Sequence, residues 1–128
     1  MAASYQLKQY TRAKVTSATP EGTLLLLIRE AARSAECARL EQDEAERSRL
    51  LNRSMRIVTE LSSSLNLDYG GDMAFNLLRL YMFINRRLAD ALCGQDGGLP
   101  DALRILRHVR DTWEQAVKIA AAEAATAE

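Results

Sequence analysis

The sequence predicts an all-α protein, an antiparallel four-helix bundle preceded by a short, loosely docked N-terminal arm or helix. Aromatic residues make up only 5% of the 128 residues, and there are two prolines. This composition favours helices and argues against a β-sandwich or barrel. Apolar residues recur every three or four positions in four stretches, which is the spacing of one helix face. Turn-forming residues separate most of these stretches.

The predicted arm comprises residues 1–18, where Tyr5 and Tyr10 are available to anchor a short helix. The bundle is predicted to begin at Thr19, a suitable N-cap. Pro20 comes next and is tolerated in a first helical turn. The first helix carries an apolar stripe consisting of Leu24, Leu27, Ile28, Ala31, Ala35 and Ala38. Leu25 and Leu26 lie outside this stripe, so either the helix is buried on two sides near its start or these leucines are surplus surface.

The first helix has no glycine or proline to end it. One helix from Pro20 to Leu65 would be about 70 Å long, too long for a compact domain of this size. We therefore expect a tight turn near Gln42 and Asp43. The second helix then stops before Gly70, and its apolar stripe contains Leu50, Leu51, Ser54, Ile57, Val58, Leu61 and Leu65.

The third helix, capped by Asp72, is strongly apolar and is expected to be the core-forming element of the bundle, packed on several sides. Its inward stripe is Leu77, Tyr81, Ile84, Leu88 and Ala91, and Met82 and Phe83 are additional apolar residues. The fourth helix begins at Pro100 after a glycine-rich turn. Its stripe is Leu103, Leu106, Val109, Trp113, Ala116 and Ala120. The bundle thus spans residues 19–120, and residues 121–128 are expected to fray.

Composition limits the classes of partner. Seventeen basic and seventeen acidic residues cancel, and arginines occur on all four predicted helices, so we expect no nucleic-acid partner. No apolar run approaches the roughly 20 residues that cross a bilayer, and no signal peptide is apparent. A soluble cytoplasmic protein without membrane insertion is expected. Cys37 and Cys93 are too few for a disulfide framework or a zinc site, and small buried thiols are the favoured interpretation.

The sequence offers little for catalysis. His108 is the single histidine, whereas a di-iron bundle needs Glu-x-x-His pairs on two helices. No glycine-rich loop has phosphate-binding spacing, and the serines at 62–64 have no identifiable histidine or lysine partner. We expect a non-enzyme that uses no cofactor and no metal.

Three stretches of the chain form a recognisable pattern. The third helix and its flanks supply most of its residues: Gly70, Gly71, Leu77, Leu80, Tyr81, Phe83, Ile84, Arg86, Arg87, Leu88, Ala91 and Asp96. The other two stretches are residues 16–21, at the start of the first long helix, and residues 106–116, in the last helix. In order and spacing the three stretches resemble the FliS family of flagellar secretion chaperones, and together they cover most of the chain.

The resemblance implies an export chaperone. Such proteins bind the disordered C-terminal segment of flagellin in the cytoplasm, prevent premature polymerisation and deliver the subunit to the flagellar type III export apparatus. An export-gate component or an anti-sigma factor is an additional expected partner. A disordered client segment can wrap a large surface, and its ordering cost keeps binding reversible. The alternative is a small helical adaptor or regulator that binds another flagellar or folded protein.

The predicted client site lies on neighbouring faces of the second and third helices. The residues expected to contact the client are Ile57, Leu61, Leu65, Leu80, Tyr81 and Ile84, with Leu25 and Leu26 as surplus apolar surface. Tyr5 or Tyr10 is expected to cover the empty groove. If Leu61 lies in a groove, Leu61→Asp should abolish binding, whereas unfolding would identify it as core.

The chain departs from the family pattern at two places. Ile28, Arg29 and Glu30 replace an aromatic residue, an acidic or amide residue and glycine, and Met82 replaces the usual acidic residue after the tyrosine. These changes leave two clients open, a divergent flagellin or another secreted axial protein.

Overall fold

Four α-helices account for most of residues 20–126, the range that the computed structural model describes, with side chains described from residue 22 to residue 126. The helices are α1 (Pro20–Leu40), α2 (Glu44–Ser63), α3 (Leu67–Leu92) and α4 (Gly98–Thr126). The all-α prediction is confirmed. The predicted N-terminal arm, with Tyr5 and Tyr10, lies outside the described residues, as does the Thr19 cap.

The helices form an antiparallel ring in which α1 packs against α2 and α4, and α3 packs against the same two helices. Ion pairs show the antiparallel register. Arg29 near the start of α1 pairs with Glu114 of α4, whereas Glu36 further along α1 pairs with Arg107, earlier in α4. Short connections between successive helices permit only this arrangement of neighbours.

A core of aliphatic side chains and alanines fills the ring. Its largest fully buried side chains are Ile28, Leu51, Leu61, Ile84, Leu88, Leu106, Val58 and Ser54. Ser54 is polar, and its hydroxyl donates to the carbonyl oxygen of Ala31 at 2.9 Å, so burial leaves this hydroxyl satisfied. Alanines at Ala31, Ala35 and Ala38 allow α1 to approach its neighbours closely.

The turn between α1 and α2 lies at residues 41–43, as the length argument predicted. Asp43 is the N-cap of α2, and its carboxylate accepts a hydrogen bond from the Glu46 amide at 2.9 Å. Glu44 and Glu46 in the first turn favour the positive end of the helix dipole. Local capping therefore ends an apolar pattern that periodicity alone would continue.

The start of α3 differs from the prediction. Asn66, and not Asp72, caps the helix, with its side chain accepting from the Tyr69 amide at 3.0 Å. One helical turn follows before Gly71 breaks the regular backbone with φ 58° and ψ −136°, a conformation that favours glycine. The predicted boundary is therefore misplaced, because the second helix ends at Ser63 and Gly71 kinks α3 without separating two helices. The turn of α3 that precedes Gly71 carries Tyr69.

Some predicted burial is wrong because α4 extends beyond its neighbours. Ala116 and Ala120 are exposed, although Leu103, Leu106 and Val109 are buried as expected. At the start of α1, Leu25 is buried and Leu24 and Leu27 are only half-buried. Leu77 of α3 is likewise half-buried.

The prediction of small buried thiols is also wrong. Cys37 and Cys93 are both exposed free thiols. Cys37 lies outside the buried alanine stripe of α1, and Cys93 is the C-cap residue of α3. The exposure of each thiol therefore follows from its position, Cys37 on an outer face of α1 and Cys93 at the end of α3.

The close approach of α3 and α4 depends on Gly98. A Cβ atom at this position would lie 2.4 Å from the carbonyl oxygen of Arg87 and 2.9 Å from the amide nitrogen of Ala91. Because both atoms belong to the backbone, Gly98→Ala should lower the free energy of unfolding by about 2 kcal/mol, measured by urea denaturation. Gly97→Ala is the matched control, since its Cβ would meet only the flexible end of Arg87. Equal stability of the two variants would contradict this account.

Candidate functional site

The sequence-predicted site residues fall into two groups. Leu25, Ile57, Leu61, Tyr81 and Ile84 are buried, and the last four belong to the core between the helices. Leu26, Leu65 and Leu80 are half-buried. The structure therefore brings most of the predicted residues together as packing partners, and it leaves only the second group accessible to a client in this conformation.

The exposed apolar surface lies mainly on α3. Phe75 and Met82 are 49% and 60% exposed, and Leu78 between them is half-buried. Their spacing of three and four residues puts them on one side of the helix, which we call the outer α3 stripe (Phe75, Leu78, Met82). Tyr69 and Met73 add further exposed apolar surface near the start of α3, at 92% and 74% exposure.

Sequence reasoning identified Met82 as surplus but missed Tyr69, Met73 and Phe75. The available signal was the number of large apolar residues on α3 outside its inward stripe. Tyr69, Met73 and Phe75 are exposed because they lie in the first turns of α3, where Ala74 is the only buried residue. Apolar side chains exposed together in this way mark interaction surfaces more often than isolated ones do.

Tyr81 lies in the core at the level where α3 and α4 meet. Trp113 of α4 packs against this core but is only half-buried, whereas the sequence placed it in the buried stripe of the fourth helix. Burial raises the pKa of the Tyr81 hydroxyl above its usual value of 10.0, and a hydrogen bond from the Trp113 indole opposes part of that increase. The phenol is therefore held neutral inside the bundle.

This environment makes the protein sensitive to high pH. Because the folded-state pKa of Tyr81 is raised, its contribution to stability is fully present below pH 10.0 and is lost as pH rises beyond that value. We expect the free energy of unfolding to fall in alkali, and Tyr81→Phe to reduce that fall. The same alkaline stability profile for the wild-type protein and Tyr81→Phe would contradict this assignment.

The arginines after the tyrosine have different neighbours. Arg86 lies over the ring of Phe83, with its guanidinium carbon 5.9 Å from the ring centroid. Arg87 forms ion pairs with Asp90 at 2.7 Å and with Asp101 of α4 at 3.2 Å. Arg87 thus ties α3 to α4, whereas Arg86 is exposed and has no acidic partner within the described residues.

A charged groove of about 590 Å³ runs between α1 and α4. Its walls carry Arg29, Ala32, Arg33, Glu36, Cys37, Arg107, Arg110, Asp111 and Glu114. Most of its charges are paired with one another, including Arg29 with Glu114 and Arg107 with Glu36. This side of the bundle is therefore polar, in contrast to the outer α3 stripe.

No helix within residues 20–126 is long and apolar enough to cross a membrane. No group of three or more histidine, cysteine, aspartate or glutamate side chains in that part of the chain is arranged to hold a metal ion.

Comparison with known proteins gives a consistent result. The model of the family described as "Flagellar protein FliS" matches residues 1–120. The flagellar secretion chaperone FliSB of Pseudomonas aeruginosa is 30% identical over 122 residues, which cover 89% of this chain and 97% of that protein. The flagellar secretion chaperone FliS of Vibrio cholerae is 33% identical over 66 residues, about half of each chain, 51% and 48% respectively.

Proposed function

This chain belongs to the FliS family of flagellar secretion chaperones, and from that premise we propose that it binds the C-terminal segment of flagellin. In this proposal the protein acts in the cytoplasm, keeps the subunit from polymerising and delivers it to the flagellar type III export apparatus. An export-gate component is the partner expected at delivery. An anti-sigma factor is a further partner that the family resemblance implies.

The observation that carries this proposal is the exposed apolar surface of α3. An amphipathic segment can lay apolar side chains one turn apart into such a surface. The outer α3 stripe offers three residues at that spacing, and Tyr69 and Met73 extend the apolar surface toward the start of the helix. Binding here needs no nucleotide, since burial of apolar area supplies the favourable free energy.

The buried residues among the predicted contacts have a supporting role in this proposal. Ile57, Leu61 and Ile84 hold α2 and α3 together from the inside. Leu26, Leu65 and Leu80 remain partly accessible and can extend the contact surface. A client would therefore meet the half-buried residues and the outer α3 stripe before it met any core residue.

The direct test is titration of the purified protein with a synthetic peptide of the C-terminal segment of the host flagellin. We expect saturable binding accompanied by a gain in helicity, measured by calorimetry and circular dichroism. A scrambled peptide of the same composition is the control. If the authentic peptide bound no better than the scrambled one, the flagellin proposal would be contradicted and the adaptor alternative favoured.

The N-terminal arm provides a separate prediction. If Tyr5 or Tyr10 covers apolar surface, deletion of residues 1–18 should raise peptide affinity or promote self-association, because that surface would lose its cover. Chromatography with light scattering and the same titration measure both effects. Unchanged affinity together with a monomeric deletion variant would remove the covering role.

A further inference from the structure

The charged groove between α1 and α4, which we call the α1–α4 groove, is separate from the exposed apolar surface of α3. In the ring of helices α1 and α3 are not neighbours, and each packs against α2 and α4 instead. The groove has a volume of about 590 Å³, and no residue of α3 lines it. A molecule that fills it therefore contacts α1 and α4 and leaves the outer α3 stripe free.

Basic side chains outnumber acidic ones along this groove. Four arginines and three acidic residues line it: Arg29, Arg33, Arg107, Arg110, Glu36, Asp111 and Glu114. Glu36 is already used at both oxygens, because Oε1 accepts from Arg39 and Oε2 accepts from Arg107. Arg104 lies one turn before Arg107 on α4, is exposed and forms no ion pair within the described residues. The groove and its edge therefore carry surplus positive charge.

The arginines of the groove also keep unused hydrogen-bond donors. Each guanidinium group has several N–H donors, yet Arg29 and Arg110 donate only through Nε, to carboxylates of α4 at 3.1 Å in both cases. Arg33 forms no hydrogen bond through its side chain to a described residue, and its ion pair with Glu30 is long, at 3.9 Å. Glu30 lies closer to Arg53 of α2, at 2.8 Å. Further carboxylates can therefore bind without displacing the existing pairs.

The dimensions of the groove suit a short protein segment. From the pair of Arg29 with Glu114 to the pair of Glu36 with Arg107, α1 rises by about 10 Å. That length accommodates about two helical turns or about three extended residues. Ala32 in the lining is small and buried, which leaves room between the charged walls. A few carboxylates on one segment can therefore reach arginines of both helices.

We propose that the α1–α4 groove is a docking surface for an acidic segment of a second protein. Carboxylates of that segment bind the unused donors of Arg29, Arg33 and Arg110, and the surplus positive charge favours the approach of the segment. This inference goes beyond the proposed function, because the protein then holds its client and a second partner at the same time. It does not depend on flagellin being the client.

The test uses a fluorescein-labelled decaglutamate peptide, whose binding is measured by fluorescence anisotropy at low ionic strength. We expect saturable binding that weakens as salt is added, because salt screens exposed charges. The double variant Arg33→Glu, Arg104→Glu should bind the peptide about tenfold more weakly. The control is Arg56→Glu, Arg79→Glu, which changes the net charge equally at exposed arginines of α2 and α3. Its affinity should stay within about twofold of the wild-type value.

The two exposed thiols report where the peptide binds. Cys37 lines the α1–α4 groove, whereas Cys93 is the C-cap residue of α3 and does not line it. With unlabelled decaglutamate at about ten times its Kd, alkylation of Cys37 by iodoacetamide should slow about tenfold, because only unoccupied molecules react. Alkylation of Cys93, followed in the same sample by mass spectrometry, should keep its rate. Equal rates at Cys37 with and without the peptide would overturn the location.

The remaining outcomes are also decisive. Equal weakening by the two double variants, or no binding of decaglutamate to the wild-type protein, would overturn the inference. Tighter binding of a DNA duplex or of phosphatidylglycerol vesicles than of decaglutamate would overturn an acidic protein segment as the occupant. Displacement of decaglutamate by the flagellin C-terminal peptide would overturn the separation of the two surfaces. If the flagellin peptide did not bind at all, only the proposed function would fail, since the decaglutamate and alkylation results stand without it.

Discussion

Leu61→Asp is expected to unfold the protein, and not to remove client binding from an intact bundle. Leu61 is 2% exposed and belongs to the core formed by all four helices. A carboxylate there would have no basic or hydrogen-bonding partner, and burying an unpaired charge costs more than about 4 kcal/mol. Native domains are stable by only about 5–15 kcal/mol. We therefore expect loss of helical circular dichroism or a strongly lowered melting temperature.

Leu40→Asp is the matched control for this substitution. Leu40 is the last residue of α1 and is 66% exposed, so the same chemical change meets water there. We expect its melting temperature to stay within about 2 °C of the wild-type value. If Leu61→Asp instead folded normally and lost peptide binding, residue 61 would be part of an accessible groove and the core assignment would fail.

The double variant Phe75→Ser, Met82→Ser is expected to lose client binding while remaining folded. Both side chains are about half exposed or more, so their removal leaves little cavity in the bundle. In a complex they would be covered, and losing two apolar anchors should weaken peptide binding by about 30-fold or more. Serine is chosen because it introduces no charge near Arg79 and Arg86.

Two measurements make that prediction specific. The melting temperature of the double variant should match that of the wild-type protein, which shows that the bundle is intact. Leu40→Ser removes a similarly exposed apolar side chain at the end of α1 and should leave affinity unchanged. Equal weakening by both variants would mean that the peptide adheres to apolar surface in general, and the α3 site would be abandoned.

Local sequence signals determined most of the secondary structure. The turn at residues 41–43 and the glycine-rich turn before α4 were both predicted, because turn-forming residues and chain length limit the alternatives. The buried positions Ile28, Ala31, Ala35, Ile57 and Leu88 were predicted as well, since their spacing identifies one face of a helix.

Helix spacing alone does not tell which neighbour covers a face. For this reason the sequence did not predict which apolar residues of α3 stay exposed. Tyr81 and Ile84 share a helix with Phe75 and Met82, yet the first two are buried and the last two are exposed. The difference is one of helix face: Tyr81 and Ile84 point into the core, whereas Phe75 and Met82 lie on a face of α3 that the described helices leave exposed.

The sequence by itself determined the four helices of the described residues, the turns at residues 41–43 and before α4, most of the inward stripes and the family. Only the tertiary structure decided where the second helix ends, which apolar residues remain accessible, and that the Asn85 side-chain oxygen is buried without a donor among the described residues. The physical reason is that capping and periodicity act within a helix. Exposure and polar satisfaction depend on side chains that another helix brings opposite.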